Sequence, residues 1–163
     1  MQRTLLFALL ILFCFGSVPL QPLAMGQEAA QPTLETSPLT IVSGDVEHAF
    51  IVELAQTPEQ IATGMMFRTE MAADSGMLFD IGTPRRVSFF MKNTLIPLDM
   101  LFIDTEGRVL AIAENAVPGS LRLIDPGVEV KGVLEINGGQ AENLGLSPGD
   151  RIEHDLFNGG DGE

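Results

Sequence analysis

LDMLFIDTEGRVLAIA, residues 98–113, is two apolar runs on either side of Asp104-Thr105-Glu106-Gly107. The four central residues have turn chemistry: two carboxylates that can bond nearby backbone N–H groups, then a glycine suited to positive φ. Apolar runs this short, joined by such a turn, predict a β-hairpin of Leu98–Asp104 and Arg108–Ala113. The first run is apolar at adjacent positions rather than alternating ones, which predicts a strand covered on both faces.

The pattern repeats outward from the hairpin. Leu39–Ser43, Ala49–Leu54, Gly76–Ile81, Val87–Met91, Lys131–Ile136 and Arg151–Leu156 all read as short strands. Two short helices interrupt them. Thr57-Pro58-Glu59-Gln60 has a capping threonine, a proline at the first helical position and a glutamine completing a capping box, and Gly64 ends or bends that helix. Gln140–Leu144 is a turn or two of helix stopped by Gly145. Many short strands with one or two short helices predict a mainly β fold, a compact antiparallel β-sandwich or barrel-like single domain.

The chain ends read differently. Residues 1–26 resemble a secretory signal peptide: Arg3, then the unbroken apolar run Leu5–Phe15, then Ala24-Met25-Gly26 as a cleavage site. The alternative is an uncleaved membrane anchor over residues 5–25, and membrane contact is expected only through that segment. Residues 27–38, rich in Gln, Ala, Thr, Ser and Pro, predict a flexible linker. Residues 39–157 form the domain, and residues 158–163, NGGDGE, an acidic disordered tail. The expected location is exported, periplasmic or extracellular.

Composition narrows the chemistry. The chain carries 9 Lys and Arg against 22 Asp and Glu, for a net charge of −13. Such acidity excludes binding that rests on neutralising phosphates, so no nucleic-acid partner is expected. The one cysteine, Cys14, lies in the leader. Cleavage would remove it, and with it any thiol nucleophile, thiolate metal site or disulfide. No Gly-x-Ser-x-Gly and no phosphate loop is present. No cofactor and no metal site follow: His48 and His154 are far apart in sequence and read as exposed, and the methionines lie among Phe and Leu, as core residues do.

An ordered set of short motifs carries a family resemblance. These are Gly64-Met65-Met66-Phe67-Arg68, Ser75-Gly76-Met77-Leu78-Phe79, Phe89-Phe90-Met91-Lys92-Asn93-Thr94, Ile96-Pro97-Leu98-Asp99-Met100 and Phe102-Ile103-Asp104. Gly107-Arg108-Val109, Val133-Leu134-Glu135, Leu144-Gly145 and Gly149-Asp150 complete it. Over roughly Val46 to Glu153 the chain resembles the domain of unknown function 192 family. The resemblance implies a compact β-rich fold and frequent export signals, and no established reaction. Phe90 stands where the family often has Trp, and Ile136-Asn137-Gly138-Gly139 replaces a segment often containing Pro and Ala.

The polar residues that stand out are few. Asp99 lies in a strand with two apolar faces, so its carboxylate must be paired or hydrogen-bonded. Lys92 and Arg68 are the expected partners, either as an internal ion pair that locks the 91–94 loop or as a charged pair at the floor of a cleft. Lys92, Asn93 and Thr94 offer a cation, an amide and a hydroxyl on one loop, suited to a turn or to gripping a carboxylate or sugar. Glu114 closes the hairpin and is placed at the same end. Glu135 is a second acid in an apolar strand, explained most simply by an exposed sheet edge. The expected function is an exported binding or accessory module for a small molecule, a glycan or an envelope protein, with Arg68, Lys92, Asn93, Thr94, Asp99, Glu114 and Glu135 as candidate ligand-binding residues. The alternative is an extracytoplasmic hydrolase or lyase using Asp99 or Glu135 with Lys92 and Arg68.

Overall fold

The computed structural model describes residues 29–158. The expected leader and the glycine-rich end of the acidic tail lie outside them. The chain forms β1 (Thr36–Ser43), β2 (Val46–Ala55), α1 (Pro58–Thr63), β3 (Ser75–Arg86), β4 (Leu98–Ile103), β5 (Val109–Ala116), β6 (Glu129–Asn137), α2 (Gln140–Leu144), β7 (Arg151–Glu153) and α3 (Asp155–Asn158). β1 begins inside the expected linker, and Gln31 is fastened there too, its amide donating to the Gly64 carbonyl at 2.9 Å.

The seven strands form one sheet in the order β5-β4-β6-β3-β2-β1-β7. The fold is mainly β, as expected, but not wholly antiparallel, because β2 and β3 run parallel. A parallel pair needs a crossover, and α1 with the segment after it supplies one. The sheet curls until its edges approach. Arg108 bridges to Arg151, Val109 donates to the Asp150 carbonyl at 2.8 Å, and Ile152 donates to the Gly107 carbonyl at 2.7 Å. Gly107 has φ +79°, and a Cβ there would collide with the Ile152 carbonyl, so this seam requires glycine.

Alternation along the strands sorts the apolar residues onto two faces. Ile41, Val52, Leu78, Leu101, Leu134, Ile136 and Ile152 pack inside the curl. Met77, Phe79, Met100, Phe102 and Val133 point to the other face and form a second core. Two segments that cross the sheet cover this second core: residues 87–97, from β3 to β4, and residues 117–128, from β5 to β6. They lie side by side, with Phe89 bridged to Ile124 and Met91 donating to the Ser120 carbonyl at 2.9 Å. We call this pair the flap. Phe89 pins it, edge-on to Phe79 at 5.4 Å and to Phe102 at 6.3 Å between ring centroids.

The local readings hold at the hairpin and both expected helices. β4 and β5 pair antiparallel across the 104–107 turn. Thr57 caps α1 within a complete capping box, with Pro58 first and Gly64 at its end, and Gly145 ends α2 in the left-handed region. Two readings differ. Val87–Met91 is not a strand: its apolar residues pack down onto the sheet instead of joining it, leaving one bridge. Arg151–Leu156 is a strand only to Glu153, after which His154 accepts from the Leu156 N–H at 3.0 Å and the chain turns into α3.

Candidate functional site

The expected candidates do not converge on one place. Asp99 is fully buried on the inner face and meets neither Lys92 nor Arg68. Its carboxylate accepts three backbone N–H groups: Asn115 at 2.7 Å, Gly139 at 3.0 Å and Ala141 at 2.7 Å. α2 begins at Gly139, which has no side chain to cap it, so Asp99 does that work from another strand. Both sequence readings of Asp99 as half of an ion pair are corrected, since backbone amides satisfy the charge without a cation.

Arg68 is half-buried and pairs with Glu53 at 2.9 Å. The same Glu53 carboxylate accepts the Leu34 N–H at 2.7 Å, tying the N-terminal segment to β2. This pair borders a concavity of about 600 Å³ between β2 and the 68–72 segment. Lys92 and Glu114 are exposed, which corrects the reading of Lys92 as a buried cation. His48 and His154 also differ from expectation: the first is half-buried and the second buried, with β1 lying between β2, which carries His48, and β7, which His154 follows. Burial pulls His154 below the ordinary histidine range. Among the described residues no group of His, Cys, Asp and Glu is placed to hold a metal ion.

Two candidates do come together, under the flap. A cavity of about 390 Å³ opens between α1 with its following turn, the end of β3, and the flap. Ile61, Met65, Phe79 and Phe89 make its walls; Arg85, Arg86 and Phe90 stand at the β3 and flap end. Thr94 and Glu135 line it as well, and both are buried. Asn93 braces the border. Its carbonyl accepts the Phe67 N–H at 2.8 Å, and both residues have left-handed φ, 58° and 62°. That conformation costs a non-glycine residue about 1–2 kcal/mol, so the clasp between flap and α1 turn is strained.

Glu135 is the unusual member. It sits on β6 between β3 and β4, opposite Met77 and Met100. The strand is interior, so the reading of Glu135 as an edge residue is corrected. It is 4 % exposed, and burial alone pushes its carboxyl up to about 8. No cation and no donor among the described residues pulls it back down. At neutral pH it is a protonated acid, able to donate one hydrogen bond and accept others.

Sequence reasoning missed Arg85, Arg86, Met65 and the phenylalanine walls. The Arg85-Arg86 pair preceding an aromatic run was the available signal. Arg85 donates to the Ile81 carbonyl across a register shift in β3, and Arg86 approaches Asp125 at 3.5 Å with both side chains largely exposed.

The family domain of unknown function 192, described as an uncharacterized ACR, matches residues 40–154. A crystal structure from Sinorhizobium meliloti 1021, provisionally named as a transcription regulator, is similar at 45% identity and TM-score 0.74. The match covers 76% of this chain and 96% of that one. A protein of unknown function from Novosphingobium aromaticivorans DSM 12444 is similar at 41% identity and TM-score 0.73, over 77% of this chain and 91% of that one. No functionally curated protein matches the chain. The chain belongs to the domain of unknown function 192 family.

Proposed function

We propose that this family member is an exported small-molecule binding module whose site is the pocket under the flap. The observation that carries the reading is Glu135: a buried acid with no partner among the described residues, at a cavity of ligand size. Asp99, the other fully buried acid, has its oxygens taken up by three backbone amides, and the buried polar atoms left unpartnered elsewhere among the described residues, on His48, Arg68, Gln140 and His154, are not at this cavity. A buried polar group left open toward a cavity is a place for a ligand to bond.

Catalysis has less support. Glu135 near 8 would suit a general acid, but a hydrolase of the two-carboxylate kind needs a second acid or base. Among the described residues Glu135 is the one acid lining the cavity, and no histidine lines it. Regulation by DNA contact, suggested by the name of the Sinorhizobium protein, has the net charge of −13 against it.

The test is a thermal-shift panel of carboxylates, alcohols, amines and sugars, run on the protein and on Ala62→Trp, which fills the cavity mouth from the exposed side of α1. A ligand of this site raises the midpoint of the first and not of the second. Equal shifts in both proteins, or none in either, overturn the reading.

A further inference from the structure

We infer that the flap pocket selects an apolar anion, a hydrocarbon body ending in a carboxylate, over neutral and cationic molecules of the same size. This inference rests on the pocket being a binding site and adds the class of its occupant.

The cavity has three zones. Its walls are hydrocarbon, aromatic and thioether: Ile61, Met65, Phe79 and Phe89. Such walls favour an apolar body and leave the hydroxyls of a sugar without partners. Its buried polar groups are the Glu135 carboxyl and the Thr94 hydroxyl, which donates a long bond to the Lys92 carbonyl at 3.5 Å and keeps its oxygen open as an acceptor. Its cationic zone is Arg85 and Arg86. A guanidinium matches a carboxylate in shape as well as in charge. Arg86 is held only by a loose, exposed contact to Asp125, which an incoming carboxylate can replace.

The surrounding charge agrees. Residues 85–97 and 117–128 carry Arg85, Arg86, Lys92 and Arg122 against Asp125, with Glu129 opposite Arg86 in the β3–β6 register, in a chain where acids outnumber bases 22 to 9. The flap together with the end of β3 thus leans basic on an acidic protein, and beyond about 10 Å the distant acids are screened at ordinary salt. An ammonium would meet these cations first. It would also meet Glu135 in its neutral form, with no charge to offer.

Among the described residues the charged side chains lining the cavity besides Glu135 are Arg85 and Arg86, and neither lies close enough to Glu135 to offset its burial. Met77 and Met100 flank it on the sheet, the flap contributes Phe89 and Thr94, and the α1 turn contributes Met65 and Met66; none of these titrates in the range considered.

Octanoate, octanol and octylamine separate the possibilities at equal chain length. By calorimetry at pH 7, octanoate should bind about tenfold more tightly than octanol, with octylamine weakest. Arg86→Glu and Arg85→Gln should each weaken octanoate about tenfold and leave octanol unchanged. From pH 7 to pH 9 octanoate should weaken on the native protein, as Glu135 ionises, but not on Glu135→Gln. Octylamine binding tightest, or octanol equal to octanoate, overturns the anion class and leaves the pocket a site. Octanoate binding that Ala62→Trp does not weaken shows attachment elsewhere and overturns both. No binding by any of the three overturns the class alone if the wider panel yields a pocket ligand, and both if it yields none.

Discussion

Two buried carboxylic acids stand on neighbouring strands of one sheet and lead opposite lives. Asp99 on β4 faces the inside of the curl and accepts three N–H bonds. Glu135 on β6 faces the outer core under the flap and meets methionine on either side. Solvent reaches almost none of either. What differs is the company each acid keeps. Three backbone N–H groups bond to Asp99, whereas the thioether and aromatic surroundings of Glu135 favour its uncharged form. The first arrangement holds a helix; the second leaves bonding capacity unspent at a cavity.

The comparison is sharpened most by pH. Glu135 is near 4.5 when exposed in the unfolded chain and about 8 in the fold. Between these values the folded state holds a proton that the unfolded state has released. Stability is therefore undiminished below about 4.5, falls as pH rises, and the loss is complete above about 8. A shift of this size corresponds to about 5 kcal/mol at most. Glu135→Gln should abolish that loss, melting higher than the parent at pH 9 and close to it at pH 4.5. Parallel pH–melting curves for the two proteins would break the contrast.

Asp99→Asn is expected to show the opposite behaviour. An amide nitrogen in place of one carboxylate oxygen points a donor at donors, costing about 2–3 kcal/mol at neutral pH. Urea titration should show the loss, and a variant as stable as the parent would deny Asp99 its capping role. Arg68→Ala should cost about 1 kcal/mol, because its pair with Glu53 is partly exposed and Glu53 keeps the Leu34 N–H. Lys92→Ala and Glu114→Ala touch nothing buried and should stay within about 0.5 kcal/mol in the same titration.

Legibility in the sequence followed the range of the interaction. The β4–β5 turn and both helix ends were readable because a turn or cap is made by residues three or four positions apart. The double-faced burial of β4 was readable from unbroken apolarity. Partners were not. Nothing near Asp99 announces that Gly139 and Ala141 will bring it amides, although a glycine pair leading an uncapped helix was a faint sign. Edge or interior was equally hidden for β6, because alternation reports the faces of a strand and not its neighbours. Val87–Met91 has strand composition, yet it became cover for the outer core, a choice that depends on what lies beneath it. The pocket follows from that choice: its walls come from α1, β3, β6 and the flap, elements up to 74 residues apart.

The seam between Gly107–Val109 and Asp150–Ile152 has a consequence for synthesis. The strand that closes the curl is nearly the last part of the domain to leave the ribosome, and it must pair with β1 from the other end of the chain. Until then β1 and β5 are open edges. Folding dominated by such distant pairings is slow. The nascent chain therefore remains an unfinished sheet until β7 has been made.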